Sequence, residues 1–355
     1  MNRNYIYTFF VAIVGAYVFE LFHLPIPWLL GSLLFVLLTQ LFTNIPFKWP
    51  ISFRNIGLMV VGFSMGHVFS IHILKDIWLM LPYILVSNIL LLLVSVLLAY
   101  CIHKICHISF ATMLVANVPG GLSQMIIFAE ETKRLDVSIV TYFQVIRVVL
   151  VVMTVPILVY LFGKPTTVAA LPYEGNIFTI IALALLLAMS FFLVKGGIRL
   201  HIPVPYFVVP LLFVMILKLT SLPVPVVPVS IVHLAQLCIG AYIGLLLKRE
   251  MIQFSKRIIV MGIVSTFSLI LFSFVLAIPV HTGVDTTLIS TFLALAPGGL
   301  DQMGIVATAI HENVEVVTIF QLFRMLFVFL IVVPILQMLD TRAKKKDEVA
   351  EKVGI

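Results

Sequence analysis

The chain has 355 residues, of which 62% are hydrophobic and only 10% are charged, and its net charge is +7. A soluble domain carries about a quarter charged residues, so this composition and a mean hydropathy of +1.20 exclude one over most of the length. We therefore predict a polytopic integral membrane protein. The positive charges form no stripe with interleaved aromatic residues, so we expect no nucleic-acid partner.

The first half contains five apolar segments, each long enough to span the ~30 Å hydrocarbon layer of a bilayer. The run after Met1 leads into Glu20 and Pro25 instead of a small-residue cleavage site, which predicts a membrane helix and not a signal peptide. The predicted helices are residues 5–22, 26–42, 53–70, 78–102 and 138–162.

The segment at 108–132 differs from these helices because two short apolar arms surround Pro119–Gly121. Neither arm can cross alone, so the segment either crosses as a broken helix or enters the membrane and returns. In lipid, irregular backbone is tolerated only where protein or a water-filled cavity covers it. A half-helix starting at Leu122 would present free N–H groups, which suit an anion or a carboxylate.

The second half repeats the first. At an offset of 178 residues, Pro119-Gly-Gly-Leu-Ser-Gln-Met125 falls on Pro297-Gly-Gly-Leu-Asp-Gln-Met303. The same offset superposes Gly62 and Gly66 on Gly240 and Gly244, His23 on His201, and Trp28 on Tyr206. The offset slips to 177 for Gln144 and Arg147 against Gln321 and Arg324, and returns to 178 for Pro156 against Pro334.

This duplication predicts the organisation of the whole chain. We expect a second set of helices at 175–194, 204–220, 229–247, 257–280 and 315–338, with a second broken segment at 286–310. The expected division is repeat one at 1–165, repeat two at 173–340 and a basic cytoplasmic tail at 341–355.

Lysine and arginine favour the cytoplasmic face, and their distribution distinguishes the two paths open to the broken segments. If both segments enter and return, 17 of the 22 positive residues are cytoplasmic, 3 are external and 2 lie in the membrane. If both cross, 11 are inside and 9 outside. The first path is favoured. It gives five crossings per half, so the second repeat is inverted and both termini are cytoplasmic in a multi-pass cell-membrane protein.

Two pairs of polar residues lie deep in predicted helices, Gln144 with Arg147 and Gln321 with Arg324. A spacing of three places both members on one helix face. A membrane-centred arginine costs at least ~2.5–3.5 kcal/mol and cannot lose its proton. Each arginine either braces the broken backbone, with glutamine orienting it, or contacts a ligand directly, or does both.

Asp301 replaces Ser123 between the two copies. As an acidic residue inside an apolar segment, it is expected to bind a coupling cation or proton, or to pair with Arg324 or Arg147. The predicted substrate or ion site comprises Pro119, Gly120, Gly121, Ser123, Gln124, Gln144, Arg147, Pro297, Gly298, Gly299, Asp301, Gln302, Gln321 and Arg324.

Other motifs favour structural roles. The Gly-x-x-x-Gly pairs permit close helix packing, and His23 and His201 precede Pro-x-Pro turns at helix junctions. One metal-like cluster has soft ligands but lies at a helix end, and His103 alone among its members has a repeat partner, so we predict no metal and no cofactor. Its members are Cys101, His103, Cys106 and His107.

The duplicated Pro-Gly-Gly-Leu-(Ser/Asp)-Gln-Met, followed by Gln-x-x-Arg, resembles the AbrB-type membrane protein family over both halves. Names in use for that family, ammonia monooxygenase and transcriptional regulator, imply copper ligands or a soluble DNA-binding domain, and the sequence offers neither. The arrangement also resembles citrate-type carboxylate symporters and related elevator transporters, which have inverted five-helix halves with glycine-rich re-entrant loops. Their loop motif is Gly-Gly-x-Gly, so substrate identity does not carry over.

These patterns together predict a secondary transporter of a small solute, with anions as one candidate class, driven by a proton or sodium gradient and without enzymatic activity. The sequence has no ATP-binding motif. Two alternatives stay open: a membrane-bound metalloenzyme of the monooxygenase kind, and a membrane regulator or sensor acting through a partner. The expected partners are the small-molecule or ion substrate and the lipid bilayer, and a homodimer is compatible with the sequence.

Overall fold

The computed structural model describes residues 3–338 except 44, 68, 70–72, 133, 163–175, 201, 203 and 221. Within these residues every regular element is helical, and six helices are long and apolar enough to cross a membrane. Four further apolar helices have 15 or 16 residues. The chain is an all-α integral membrane protein. The predicted tail at 341–355 and His201 lie outside the described residues.

Each half contains seven helices in the same order. The first half has α1 (Arg3–Leu21), α2 (Pro27–Phe42), α3 (Ile51–Gly66), α4 (Ile73–Cys106), α5 (Phe110–Asn117), α6 (Leu122–Glu131) and α7 (Val137–Phe162). The second half has α8 (Ile177–Arg199), α9 (Pro205–Leu219), α10 (Val229–Gly244), α11 (Lys256–Val284), α12 (Leu288–Leu295), α13 (Leu300–Ala309) and α14 (Val314–Phe327).

The ten predicted membrane helices all have counterparts, although their bounds differ. Helix α3 ends at Gly66, four residues before its predicted end. Helix α4 begins at Ile73 rather than at residue 78, because a charged Lys75-Asp76 pair lowers hydropathy without breaking the helical backbone. Hydropathy marks the part of a helix that lies in lipid, whereas the backbone hydrogen bonds continue beyond it.

Proline fixes the start of two equivalent helices. Helices α2 and α9 begin at Pro27 and Pro205, a position where the missing proline N–H costs nothing. The preceding residues, Ile26 and Val204, have φ values of 45° and 44°, which is unusual for branched side chains. His23 also has a positive φ of 51°. The Pro-x-Pro segments are therefore sharp helix junctions, as predicted.

Both broken segments form helical hairpins. Helices α5 and α6 have 8 and 10 residues, about 12–15 Å at 1.5 Å per residue, which is too short to cross. The start and the end of each hairpin are joined: the Asp136 N–H donates to Thr112 Oγ1 at 3.2 Å, and the Asn313 N–H donates to Ser290 Oγ at 2.9 Å. Each hairpin therefore begins and ends at the same end of the helix bundle.

Glycine lets the two halves pack closely at equivalent places. A Cβ added at Gly62 would lie 2.3 Å from the carbonyl oxygen of Phe207, and one added at Gly240 would lie 2.3 Å from that of Leu29. One turn later, Gly66 meets Leu211 and Gly244 meets Leu33 at 2.7 and 2.6 Å. Each contact is the other shifted by 178 residues, so the halves are related by an approximate two-fold axis.

The same contacts fix the direction of the helices. Residue numbers rise together along α2 and α10, so these two helices run parallel. Successive spanning helices alternate in direction, so α9 runs opposite to α10 and hence opposite to its own repeat counterpart, α2. The two repeats are therefore inverted, which the charge distribution predicts.

The slip in the repeat offset has a structural counterpart in α14. Between Arg324 and Pro334 the second half has one residue more than the first half has between Arg147 and Pro156. The structure places this extra residue in a π-helical turn, Val328–Val332, after which the helix continues to residue 338. A single inserted residue inside a helix is the usual origin of such a turn.

Candidate functional site

The two Pro-Gly-Gly tips, one from each half, line a single cavity of about 300 Å³. The remainder of its wall comes mainly from the first residues of α3 and α9 and the last residues of α10. Ten of the predicted site residues line it: Pro119, Gly120, Gly121, Gln124, Arg147, Pro297, Gly298, Gly299, Asp301 and Gln302. The side chain of Ser123 lies outside the described part.

Each tip is a tight turn built around two glycines. The Gly120 N–H donates to the Val118 carbonyl at 2.8 Å, and the Gly298 N–H donates to the Ala296 carbonyl at 2.8 Å. A Cβ at Gly120 would lie 2.6 Å from the terminal methyl of the Met125 side chain. Proline before these glycines removes a donor that the turn would leave unpaired.

A glutamine–arginine pair on α7 binds the main chain of the first tip. Gln144 donates to the carbonyls of Val115, Ala116 and Val118 at 3.0–3.2 Å. Arg147 donates to the Val118 carbonyl at 3.0 Å and to Gln144 Oε1 at 2.6 Å. The carbonyls at the C-terminal end of α5 have no partner within that helix, so this pair satisfies them.

The second tip is held by the equivalent pair on α14. Gln321 donates to the Leu293 and Ala296 carbonyls at 2.9 and 3.1 Å. Arg324 donates to the Ala296 carbonyl at 2.7 Å, to the Gly298 carbonyl at 2.6 Å and to Gln321 Oε1. A cation at a helix C-terminus is electrostatically favourable, which offsets part of the cost of burying it.

Of the two roles expected for the arginines, bracing the broken backbone is visible in these contacts. Arg147 and Arg324 are only 4% and 6% exposed. Arg324, Gln144 and Gln321 lie behind the tips and are absent from the cavity wall, whereas Arg147 reaches it. The Nε atom of Arg147 is buried and has no hydrogen-bond partner in the described structure.

Asp301 lies in the first turn of α13, is 6% exposed and lines the cavity. Its Oδ2 accepts a hydrogen bond from Gln302 Nε2 at 3.2 Å, and Gln302 Oε1 accepts one from the Gly299 N–H at 2.6 Å. The hydrogen bonds of both buried arginines go to carbonyls and glutamines, and the charge that acts on the Asp301 carboxyl is that of Arg54.

The two tips differ in how their glutamines are used. Gln302 is bonded at both ends of its amide, to Gly299 and Asp301. Its counterpart Gln124 also lines the cavity, but its Oε1 is buried and has no partner among the described residues. The first tip therefore presents polar atoms that the protein itself leaves unsatisfied.

Among the residues of the cavity wall that sequence reasoning missed, four have polar side chains: Arg54, Asn55, Tyr206 and Tyr242. The Arg54 guanidinium lies over the Tyr242 ring, 4.9 Å from its centroid. Arg54 is one of the 17 positive residues that the charge distribution assigns to the cytoplasmic side. Its place inside the predicted helix at 53–70 was the one signal that it faces the protein.

The cavity is not symmetric, although the fold is. The repeat counterparts of Tyr206 and Asn55 are Trp28 and His233, and neither lines the cavity. Their rings instead stack on each other with centroids 5.2 Å apart, and Tyr17 packs edge-on against Trp28. The cavity therefore lies toward the end of the bundle where α3 and α9 begin, and the equivalent place at the other end is packed.

The side chains of the metal-like cluster Cys101, His103, Cys106 and His107, at the end of α4, have other environments. Cys101 is exposed, and the His103 Nδ1 atom lies 2.5 Å from the Ile108 carbonyl oxygen. Among the side chains that the structure describes, no group of three or more His, Cys, Asp or Glu residues could hold a metal ion.

Known proteins resemble the chain over nearly its full length. A family model described as "Transition state regulatory protein AbrB" matches residues 28–340. The chain is 26% identical over 367 residues to "Uncharacterized protein YhjN" of Bacillus subtilis (strain 168), covering 96% of this chain and 94% of the relative. It is 22% identical over 326 residues to "Putative regulator AbrB" of Escherichia coli (strain K12), covering 91% and 93%.

Proposed function

The chain belongs to the AbrB family, whose model spans residues 28–340, and we propose that within this family it is a secondary transporter of a small solute, driven by a proton or sodium gradient, with no catalytic step. One observation carries the proposal: irregular tips from two inverted repeats line the same cavity. Inverted repeats with interrupted helices at equivalent places are typical of secondary transporters, which bind their substrates where the repeats meet.

The proposed placement in the membrane follows from charge. The hairpins re-enter the membrane from opposite faces, with their tips near its middle. The end of the bundle at which the cavity lies carries Arg54, Arg199, Lys248 and Arg249, and clustered positive residues favour the cytoplasm. The conformation described here is then the cytoplasm-facing one, with both chain termini on the same side.

Alternating access gives opposite roles to the pair Trp28 and His233 and to its repeat counterpart, Tyr206 and Asn55. The stacked pair of Trp28 and His233 closes the external end in this conformation. In the other conformation the repeats exchange environments, so the equivalent pair, Tyr206 and Asn55, closes the cytoplasmic end and the first pair separates. Movement of one repeat against the other accomplishes this exchange.

Paired cysteines test this prediction. One variant carries Trp28→Cys, His233→Cys, Asn55→Cys and Tyr206→Cys in a chain whose native cysteines are removed. We expect oxidation to link either the first two or the last two in a given molecule, but never both pairs, as read by mass spectrometry of peptides from the separated monomer. The native cysteines to be replaced are Cys101, Cys106 and Cys238.

Two double-cysteine variants, one for each pair, serve as the controls and should each link efficiently alone. Molecules that hold both links would show that the two ends do not open alternately, and the transporter proposal would fail. A second pair that never links in any condition would also count against it, since no external-facing state would then exist.

The family description and the name of the Escherichia coli relative both contain a regulatory term, which makes a membrane regulator acting through a partner the second candidate. A transporter works in lipid vesicles that contain no other protein, whereas such a regulator requires its partner. Solute uptake into vesicles reconstituted with the purified chain separates the two. Metal analysis of the same preparation tests the metalloenzyme alternative, for which stoichiometric copper, iron or zinc is required.

A further inference from the structure

We infer that the cavity binds a small anion together with a proton, that Arg54 is the cationic partner of the anion, and that Asp301 accepts the proton. The inference rests on the proposed function, because it names the solute class and the coupling ion of the same cavity. Four observations on the same cavity carry it: a guanidinium that makes no hydrogen bond within the described structure, polar atoms left unsatisfied, a helix start without a side-chain cap, and a buried carboxyl.

The N–H donors of Arg54 make no hydrogen bond to the described residues. Its side chain is half-buried in the cavity wall and lies over the face of the Tyr242 ring, 4.9 Å from the ring centroid. A guanidinium carries five N–H donors in a planar fork that matches a carboxylate or a phosphate. Stacking on an aromatic ring leaves the edge of that fork free, so Arg54 is positioned to bind an oxyanion.

A second feature of the same cavity points to the same ligand. The Arg147 side chain is 4% exposed and lines the cavity, and its Nε has no partner among the described residues. Nearby, α6 begins at Leu122 with no side chain capping its first N–H groups. Buried donors and a free helix N-terminus favour negative charge. Two guanidinium groups, Arg54 of α3 and Arg147 of α7, therefore belong to the wall of one cavity.

Asp301 explains why a proton should accompany the anion. Its carboxyl lines the same cavity, and a carboxylate there would repel a second negative charge. The charged groups on the helices packed around it are Arg54 of α3, Arg147 of α7, and Glu315 and Arg324 of α14; Glu315 lies in the first turn of α14, and Arg324 donates to the Gly298 carbonyl. Beside it on its own helix, Gln302 donates a hydrogen bond to it.

The charge balance can then be written simply. With the cavity empty, the Asp301 carboxylate offsets the charge of Arg54. When a proton from water adds to a carboxylate oxygen, Asp301 becomes neutral and Arg54 is left for the anion. A singly charged anion and the proton together add no net charge, and an anion of higher charge leaves the excess negative; in either case, by linkage, the anion and the proton each strengthen the binding of the other. A volume of about 300 Å³ is at the lower limit for ligand pockets, which favours an anion of a few carbon atoms.

Thermal unfolding of the purified full-length protein tests the inference with succinate, citrate and inorganic phosphate as probes. Succinamide, a neutral molecule with the shape of succinate, is the control. We expect at least one anion to raise the melting temperature by several degrees at about pH 5.5 and by less at about pH 8, and succinamide to have no effect. Arg54→Gln should weaken that anion at least tenfold, whereas Asp301→Asn should keep the shift and remove its pH dependence.

Arg199→Gln is the matched control, because it removes an exposed arginine at the end of α8 without touching the cavity. The melting temperature without probe reports whether each variant is folded, and Arg54→Lys, which keeps the charge, should retain part of the effect. The inference is overturned if succinamide stabilises as well as succinate, if Arg54→Gln responds like the wild type, or if none of the three anions has an effect. The cysteine-pair experiment uses no probe, so alternating closure without anion binding would leave the transporter standing and remove only this site.

Discussion

Arg324→Leu is expected to lower the free energy of unfolding by about 3 kcal/mol, because each orphaned acceptor costs roughly 1–3 kcal/mol. The acceptors that lose their donor are the buried Oε1 of Gln321 and the partly buried carbonyl of Gly298. At roughly 2–4 °C per kcal/mol, the melting temperature should fall by about 6–12 °C. Thermal unfolding of the purified protein in detergent measures the effect directly.

Two further variants show whether the effect comes from the contacts between the Gln–Arg pair on α14 and the second tip. Arg324→Lys keeps the charge but cannot reach two acceptors with a planar fork, so it should be intermediate. Arg199→Leu removes an exposed arginine from α8 and should change stability by no more than about 0.5 kcal/mol. If Arg324→Leu had the same melting temperature as Arg199→Leu, the contacts of Arg324 with the second tip would contribute nothing to stability.

Gly240→Ala and Gly62→Ala are expected to destabilise the contact between the repeats, although alanine is the better helix former. The new methyl at residue 240 would lie 2.1 Å from Ser32 Oγ and 2.3 Å from the Leu29 carbonyl oxygen, so α2 and α10 must move apart. Overpacking of this kind costs roughly 1–3 kcal/mol, and the gain in helix propensity, about 1 kcal/mol, offsets part of it.

Gly196→Ala is the matched control, since nothing lies within 4 Å of a Cβ at that position in α8. It should stabilise the protein by up to about 1 kcal/mol, so the same chemical change has opposite signs at the two kinds of site. Melting temperatures of the three variants, measured side by side, decide the matter. Three equal shifts would mean that the glycines on α3 and α10 do not determine the packing of the repeats.

Local and periodic features were predictable from the sequence. The lengths of the apolar segments predicted ten helices. The internal repeat, together with the distribution of positive residues, predicted one hairpin in each of two inverted halves. The bounds were less accurate at Gly66 and Ile73, because charge and hydropathy report the lipid boundary and not the last backbone hydrogen bond. The slip in the repeat offset was visible too, but its outcome as a π-helical turn in α14 depends on packing around that helix.

The candidate site was predictable only where a motif marked it. The Pro-Gly-Gly tips and the buried Gln–Arg pairs stand out in an apolar chain, and the structure brings them together. Arg54 and Tyr206 do not stand out, because they join the cavity through contacts between distant helices. The same applies to Asp301. Pairing with Arg147 or Arg324 was one of the two roles expected from the sequence, whereas the side chain that donates a hydrogen bond to it is the adjacent Gln302.

The bonds that hold the two tips end on main-chain carbonyls, which every amino acid possesses. The scaffold therefore does not depend on the identity of the side chains at the turn, and the duplicated gene could diverge there without loss of the fold. Serine at 123 and aspartate at 301 record one such divergence. Under the proposed function, a lineage with this architecture would acquire a new solute through a few substitutions at the tips, while the contacts that position the tips are inherited unchanged.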